Sequence, residues 1–240
     1  MHYLFDGSFD GLMTLVFETY RKKNEVEAVS EYMGADSLLE TCFIASDVAK
    51  ASRIKGFMAR SLGEDFVFMV KAAFLSRRES RFRAIVRTLH LSCGMGKAAL
   101  DLLDDSVLDF VACQREVQCE AHRFNGLIRL RQMQDGSMLG VFAPRNNVLP
   151  LILPHFTERF PEERLLLYDE NRRLAGLSGE GKMELFEAVV IMPQETGDEK
   201  ELQDLWRVFF DHLAIRERVN LRLQRQHLPK YTWKNLTEMG

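Results

Sequence analysis

The sequence predicts an α+β fold in which helices pack on a small antiparallel sheet built from hairpins. Two hairpin signals and several strongly periodic helical stretches, occurring in separate runs, support this class over a parallel α/β sheet. The first hairpin signal is LIRLRQM and MLGVFA on either side of Asp135-Gly136. The second pairs Arg164–Asp169 with Arg173–Leu177 around Glu170-Asn171-Arg172. The 240 residues are read as a single domain, 1–240, with a basic C-terminal segment, 215–240.

From the N-terminus, Met1–Asp6 reads as a short strand closed by Asp6-Gly7. Ser8 then caps a helix with apolar residues at Phe9, Leu12, Met13, Val16, Phe17 and Tyr20, steps of three and four that define one face. Arg21, Lys22 and Lys23 fit its last turn, where cations favour the dipole. Leu38–Ile44 is a possible strand. Asp47–Leu62 reads as a helix ended by Gly63, and Glu64–Leu91 as one long helix whose second half bears Arg77, Arg78, Arg81, Arg83 and Arg87. Gly94 and Gly96 break the chain before a short helix at Lys97–Leu103. Asp104-Asp105-Ser106 starts another helix, Val107 to about His122.

After the first hairpin, a helix is entered at Asn147 with Pro150 in its first turn, and Pro154 predicts a kink or a break. Gly176, Gly179 and Gly181 read as a flexible turn, and Met183–Met192 is ambiguous between helix and strand. Thr196-Gly197-Asp198-Glu199 is a capping box ahead of Leu202, Leu205, Trp206, Phe209, Phe210 and Leu213.

Charge is unevenly placed. The chain is −3 overall, yet Ile215–Gly240 holds six Lys/Arg against two Glu, leaving −7 for the preceding 214 residues. In that tail Arg216, Arg218, Arg222, Arg225, Lys230 and Lys234 alternate with His227, Tyr231 and Trp233. Cations that reach phosphates and rings that stack on bases are what sequence-tolerant nucleic-acid binding uses. The alternative is a solvated segment docked through Leu221, Leu223 and Leu228.

A second constellation is EAHRFNGLIRLR, Glu120–Arg131. His122 and Arg123 fall near a helix C-terminus, and Arg129 and Arg131, two apart on a strand, project to one face where a phosphate or carboxylate could sit. Helix capping and solvated arginines explain the same residues. His155, Arg159 and Asp169 would join the site if the hairpins share a sheet. His122, His155 and Asp169 are then candidates for acid–base catalysis, but their spacing matches no metal template, so no metal is expected.

GxSxG, Walker A and GxGxxG loops are absent, so hydrolase, NTPase and dinucleotide readings lack support. Cys42, Cys93, Cys113 and Cys119 form no CxxC or CxxxCxxC run, which argues against a zinc ribbon or a cysteine-held cluster in this chain. No stretch approaches the ~20 apolar residues of a membrane helix. MHYLFDGSFDGLM lacks a signal-peptide pattern, so a cytoplasmic protein without membrane contact is expected.

Three segments, FDGSFDGLM, EAHRFNGLIRL with VLPLILPHFTERFP, and LQRQHLPKYTWKNLTEM, occur in this order in one family. The chain resembles bacterial proteins described as DNA-metabolism or DNA-repair proteins, a domain of unknown function encoded beside a radical-SAM protein of DNA-modification type. Some relatives are fused to a uracil-DNA-glycosylase-like domain. Residues matching the shared motifs are Asp6, Gly7, Asp10, His122, Arg123, Phe124, Gly126, Pro150, His155 and Phe156, with Gln224, Arg225, Pro229, Lys230, Trp233 and Lys234 in the tail. Leu127 and Leu130 stand where some relatives carry aromatics.

The resemblance implies an accessory protein that binds nucleic acid, DNA above all, and works with a radical-SAM partner that would own the cluster. No cofactor is assigned to this chain. The nucleic-acid contacts expected are Arg123, Arg129, Arg131, Arg222, Arg225, Lys230, Trp233 and Lys234. The alternatives are a DNA-acting nuclease or lyase using His122 or His155, or a protein-binding adaptor without DNA contact.

Overall fold

The computed structural model describes residues 1–32, 40–179, 181–188, 195–213 and 220–239. The fold is α+β. The chain forms two compact units, Met1–Gln118 and Cys119–Gly240.

The first unit opens with β1 (His2–Phe5), α1 (Phe9–Thr19) and a 3₁₀ segment (Tyr20–Glu25), followed by β2 (Ala28–Glu31) and β3 (Thr41–Phe43). The three strands form a parallel sheet in the order β2-β1-β3, with Tyr3 beside Val29 and Cys42. This sheet departs from the antiparallel expectation. Helix α1 intervenes between β1 and β2 as a crossover, and a crossover returns the next strand parallel. Ser8 caps α1 as the sequence indicates, its Oγ accepting from Gly11 N at 2.8 Å. Gly11 is required there, because a Cβ would lie 2.0 Å from Asp6 Oδ1. Arg21 and Lys22 fall in the 3₁₀ segment rather than in the last turn of α1.

Next come α2 (Val48–Phe57), a π turn (Met58–Leu62), α3 (Glu64–Phe74), α4 (Arg81–Met95), a 3₁₀ segment (Gly96–Asp101) and α5 (Asp105–Leu127), which passes into the second unit. Asp47 caps α2 through Ala49 N and Lys50 N. Gly63, at φ 80°, separates the π turn from α3. The single helix expected over Glu64–Leu91 is two helices. Ser76 Oγ takes Arg78 N at 3.2 Å, a local bond that competes with the helical ladder. Arg78 meanwhile reaches Glu116 on α5, at 3.0 and 2.5 Å. Arg77 and Arg78 therefore lie before α4, and Arg81 packs over the Phe82 ring, so the five arginines do not form one free stripe. Gly94 is tolerated inside α4; Gly96, at φ 62°, ends it. The core of this unit gathers Phe5, Leu12, Met13, Leu15, Met58, Leu62, Phe66, Ile85 and Phe110, all essentially inaccessible.

The second unit holds β4 (Leu130–Gln132), β5 (Met138–Phe142), α6 (Leu149–Arg159), β6 (Leu165–Asp169), β7 (Leu174–Gly179), β8 (Lys182–Glu187), α7 (Gly197–Leu213) and α8 (Leu221–His227). Its five strands run in sequence order, antiparallel except β5 with β6, where α6 is the crossover. Both expected hairpins form, and Gly136 supplies the positive φ (79°) of the first turn. Helix α6 runs unbroken through Pro154. Gly176 and Gly179 belong to β7 rather than to a turn. A Cβ on Gly176 would meet Leu153 at 3.0 Å and Leu149 at 3.2 Å, so its absence lets α6 lie close on the sheet. Of the ambiguous Met183–Met192, Met183–Glu187 is strand, and residues 189–192 lie outside the described residues. Among the described residues no helix is long and apolar enough to cross a membrane.

Candidate nucleic-acid interface

The second unit buries a carboxylate beside its apolar core. Glu120 lies on the inward face of α5, one step before Ala121 and four before Phe124, and is only 4% exposed. The chain leaving β5 brings Arg145 N and Asn146 N to its two oxygens, at 3.0 and 2.8 Å, and Asn146 Nδ2 adds a bond of 2.6 Å. From the C-terminal segment, Tyr231 Oη donates to Oε1 at 2.7 Å. Four donors satisfy the carboxylate, and such bonds to a charged group are worth about 1.5–3 kcal/mol each.

Tyr231 is the hinge between this hub and the surface. Its pKa is pushed up to about 12, first by burial and then by the hydrogen bond and charge of Glu120, with the Arg123 guanidinium pulling the other way. The phenol therefore stays a donor at neutral pH. Arg145 lies over the ring, its Cζ 4.6 Å from the centroid, a cation–π contact that presents an exposed guanidinium above a fixed aromatic face.

The loop carrying Arg145 is clamped from behind. Arg172 Nη1 bonds Asp169 Oδ2 at 2.9 Å and Pro144 O at 3.1 Å, and its Nη2 donates to Arg145 O. Asn171 Nδ2 adds a bond of 2.8 Å to Pro144 O. Asp169 is fully inaccessible; burial raises its pKa, opposed by Arg172. It is thus a positioning group for residues 144–145.

The C-terminal segment is docked, and of the leucines the sequence suggests, Leu228 is partly buried. Leu223 is half exposed, whereas Tyr231, Thr232, Leu236 and Thr237 face inward. Trp233 Nε1 donates to Leu228 O at 3.0 Å, and Lys234 and Asn235 bond Glu170 at 2.9 and 3.1 Å. Arg222 and Arg225, three apart on α8, are exposed, as is Lys230. None of these three has an acidic partner among the described residues. Asn220 caps α8 through Leu223 N.

The other expected contacts are placed differently. Arg129 is bound to Glu238 (2.5 Å) and Arg131 to Glu195 (3.0 Å), so both charges are already answered. His122 is exposed on α5, and His155 sits on α6 with its ring edge-on to Phe156. Helix α5 continues to Leu127, so His122 and Arg123 stand before its last turn and do not cap it. Among the described residues no three His, Cys, Asp or Glu side chains gather as a metal-binding group, and His122, His155 and Asp169 are not brought together as one.

The family model described as domain of unknown function (DUF4130) matches residues 79–238, two thirds of the chain. The chain belongs to the DUF4130 family. Neither a curated protein nor a solved structure matches it. The DUF4130 region contains the whole Glu120–Tyr231 hub and the exposed cations of α8.

Sequence reasoning missed Glu120, Arg145, Asn146 and Arg172 as parts of the site. For Glu120 a signal existed: it shares the helical face of Ala121 and Phe124, and an acid on an apolar stripe marks a buried, satisfied carboxylate. For Arg145 and Arg172 no local pattern distinguishes them from other surface arginines.

Proposed function

We propose that the DUF4130 region is a nucleic-acid contact module, in an accessory protein that presents DNA to a separate radical-SAM enzyme. The observation that carries this reading is the exposed set Arg222, Arg225 and Lys230, which continues directly into Tyr231, the residue anchored on Glu120 beneath the Arg145 guanidinium. A cationic surface held on a docked segment loses little conformational freedom when it meets a phosphate chain, and an arginine stacked on a ring offers a flat platform to an unpaired base. The radical-SAM partner and the repair context rest on the resemblance of the three sequence motifs. With Asp169 inaccessible and bound by Arg172, and with His122, His155 and Asp169 forming no metal-binding group among the described residues, the nuclease or lyase alternative receives no support from geometry.

The test is binding of labelled single- and double-stranded DNA across a salt series. The intact protein is compared with an Arg222→Ala/Arg225→Ala/Lys230→Ala variant, whose substitutions are all exposed. Four cations, these three and Arg145, predict a slope of log affinity against log salt of about −2.8 on single strands and about −3.6 on duplex. The variant should retain a slope of about −1. A slope near zero for the intact protein, or a variant that binds as well, overturns the reading. Copurification with a protein partner after nuclease treatment, without DNA binding, would then favour the adaptor alternative.

A further inference from the structure

The first unit contains a cavity of about 610 Å³ between the end of α1, the middle of α2 and the end of α4. All of its lining except Cys93 lies outside the DUF4130 match. The size is within the range of about 300–1,000 Å³ typical of small-molecule sites. Its walls are mostly aromatic and aliphatic: Phe17, Tyr20 and Phe57, over a floor of Val16 and Ile54. Phe17 and Phe57 are only partly covered, and Tyr20 is 42% exposed, its ring held edge-on against His90 at 5.8 Å. His90 Nε2 in turn donates to Val16 O at 3.0 Å, which fixes that ring from behind.

Two cations stand on the lining. Arg53 lies over the face of Phe17, Cζ 5.0 Å from the centroid, and both Arg53 and Arg21 are exposed. The acid on the lining, Glu18, is taken up by Lys50 at 2.5 Å. Neither Arg21 nor Arg53 has an acidic partner among the described residues. The cavity thus combines apolar, ring-rich walls with an unanswered positive charge of two. An uncharged apolar ligand would leave that charge unused, and a bare inorganic anion would leave the walls unused.

We propose that this cavity binds a small organic anion with a planar aromatic body, the anionic group held by Arg21 and Arg53 and the body lying against Tyr20 and Phe57. A mononucleotide and an aromatic carboxylate share this chemistry. The proposal is independent of the nucleic-acid reading of the second unit.

Cys93, at the cavity wall and partly exposed, supplies a reporter inside the full-length protein, while the exposed Cys42 and Cys119 act as internal references. The experiment follows N-ethylmaleimide alkylation of each cysteine by peptide mass spectrometry, with dAMP and naphthoate as probes. Deoxyadenosine and inorganic phosphate serve as the separated halves of dAMP. A ligand that excludes the reagent, present at ten times its Kd, slows Cys93 about elevenfold. The expected result is that slowing with at least one of the two anions, unchanged rates at Cys42 and Cys119, and no comparable protection by either half at the same concentration. Which anion protects separates a nucleotide site from an aromatic-acid site. Arg21→Ala/Arg53→Ala should abolish the protection with circular dichroism unchanged, and Arg53→Lys alone should weaken it without abolishing it. The proposal is overturned by an unmoved Cys93 rate with both anions up to about 10 mM, ten times a weak millimolar Kd. Equal slowing of all three cysteines, or protection that survives in the double Arg variant, overturns it as well.

Discussion

Helices α1 and α7 carry the same kind of apolar stripe behind the same kind of cap, and they end in opposite environments. In α1, capped by Ser8, the stripe Leu12, Met13, Leu15 and Val16 is no more than 1% exposed. In α7, capped by Thr196 through Glu199 N at 3.1 Å, Leu202, Leu205, Trp206 and Phe209 are 41–64% exposed. What holds α7 is polar: Trp206 Nε1 bonds Glu238 and Arg207 bonds Thr237 O. Period and cap decide that a helix forms; what covers its stripe is decided by the elements that arrive from elsewhere. Both units bury packed apolar side chains, and the second adds a buried carboxylate with four donors.

The same substitution in the two helices tests this contrast most directly. Leu12→Ala should cost about 2–5 kcal/mol in urea denaturation, because it opens a cavity in a closed core. Leu205→Ala, at 64% exposure, should stay within about 0.5 kcal/mol. Equal costs would mean that the α7 stripe is covered in solution.

Next in size is the hub. Glu120→Gln keeps the shape but turns an amide N–H₂ towards at least one of the donors from Arg145, Asn146 and Tyr231. A loss of about 2–3 kcal/mol is expected. Hydrogen exchange over residues 230–239 should quicken. Unchanged protection there would assign the docking to Lys234–Glu170 and Arg129–Glu238 instead.

The smallest effect is the sharpest in pH. The Tyr231 pKa is raised in the folded protein, so its contribution to stability is complete below the ordinary tyrosine value of about 10 and is lost as pH climbs towards about 12. Tyr231→Phe should cost about 1 kcal/mol at neutral pH and lack that alkaline loss. A stability curve through pH 10–12 that matches the intact protein would remove the Tyr231–Glu120 bond from the account.

Much of the local structure was legible because its causes are local. Ser8, Asp47 and Thr196 each cap the helix that follows them, and Asp135-Gly136 and Glu170-Asn171-Arg172 turn the two hairpins. The break between α3 and α4 was not legible: Phe74 and Phe82, eight apart, suit one helical face across a polar stretch that holds neither Gly nor Pro, while Arg78 is drawn out of line by Glu116, 38 residues away. The parallel sheet was missed for a similar reason, since a short strand does not state its partner's direction. At the site, the tail's cations and Tyr231 stood out by composition. The carboxylates that consume Arg129 and Arg131 lie 109 and 64 residues further on and could not be seen from their spacing.

The sequence by itself determined the α+β class, the caps, the hairpin turns and the concentration of positive charge at the C-terminus, because each follows from residues within a few positions of one another. Only the tertiary structure decided which of those charges stay available. Arg129, Arg131 and Lys234 meet acids brought from distant elements, Arg222, Arg225 and Lys230 have no acid among the described residues, and Tyr231 is fixed by a glutamate 111 residues before it. A side chain's charge is set by its chemistry, but its counterion is chosen by the packing of the whole unit.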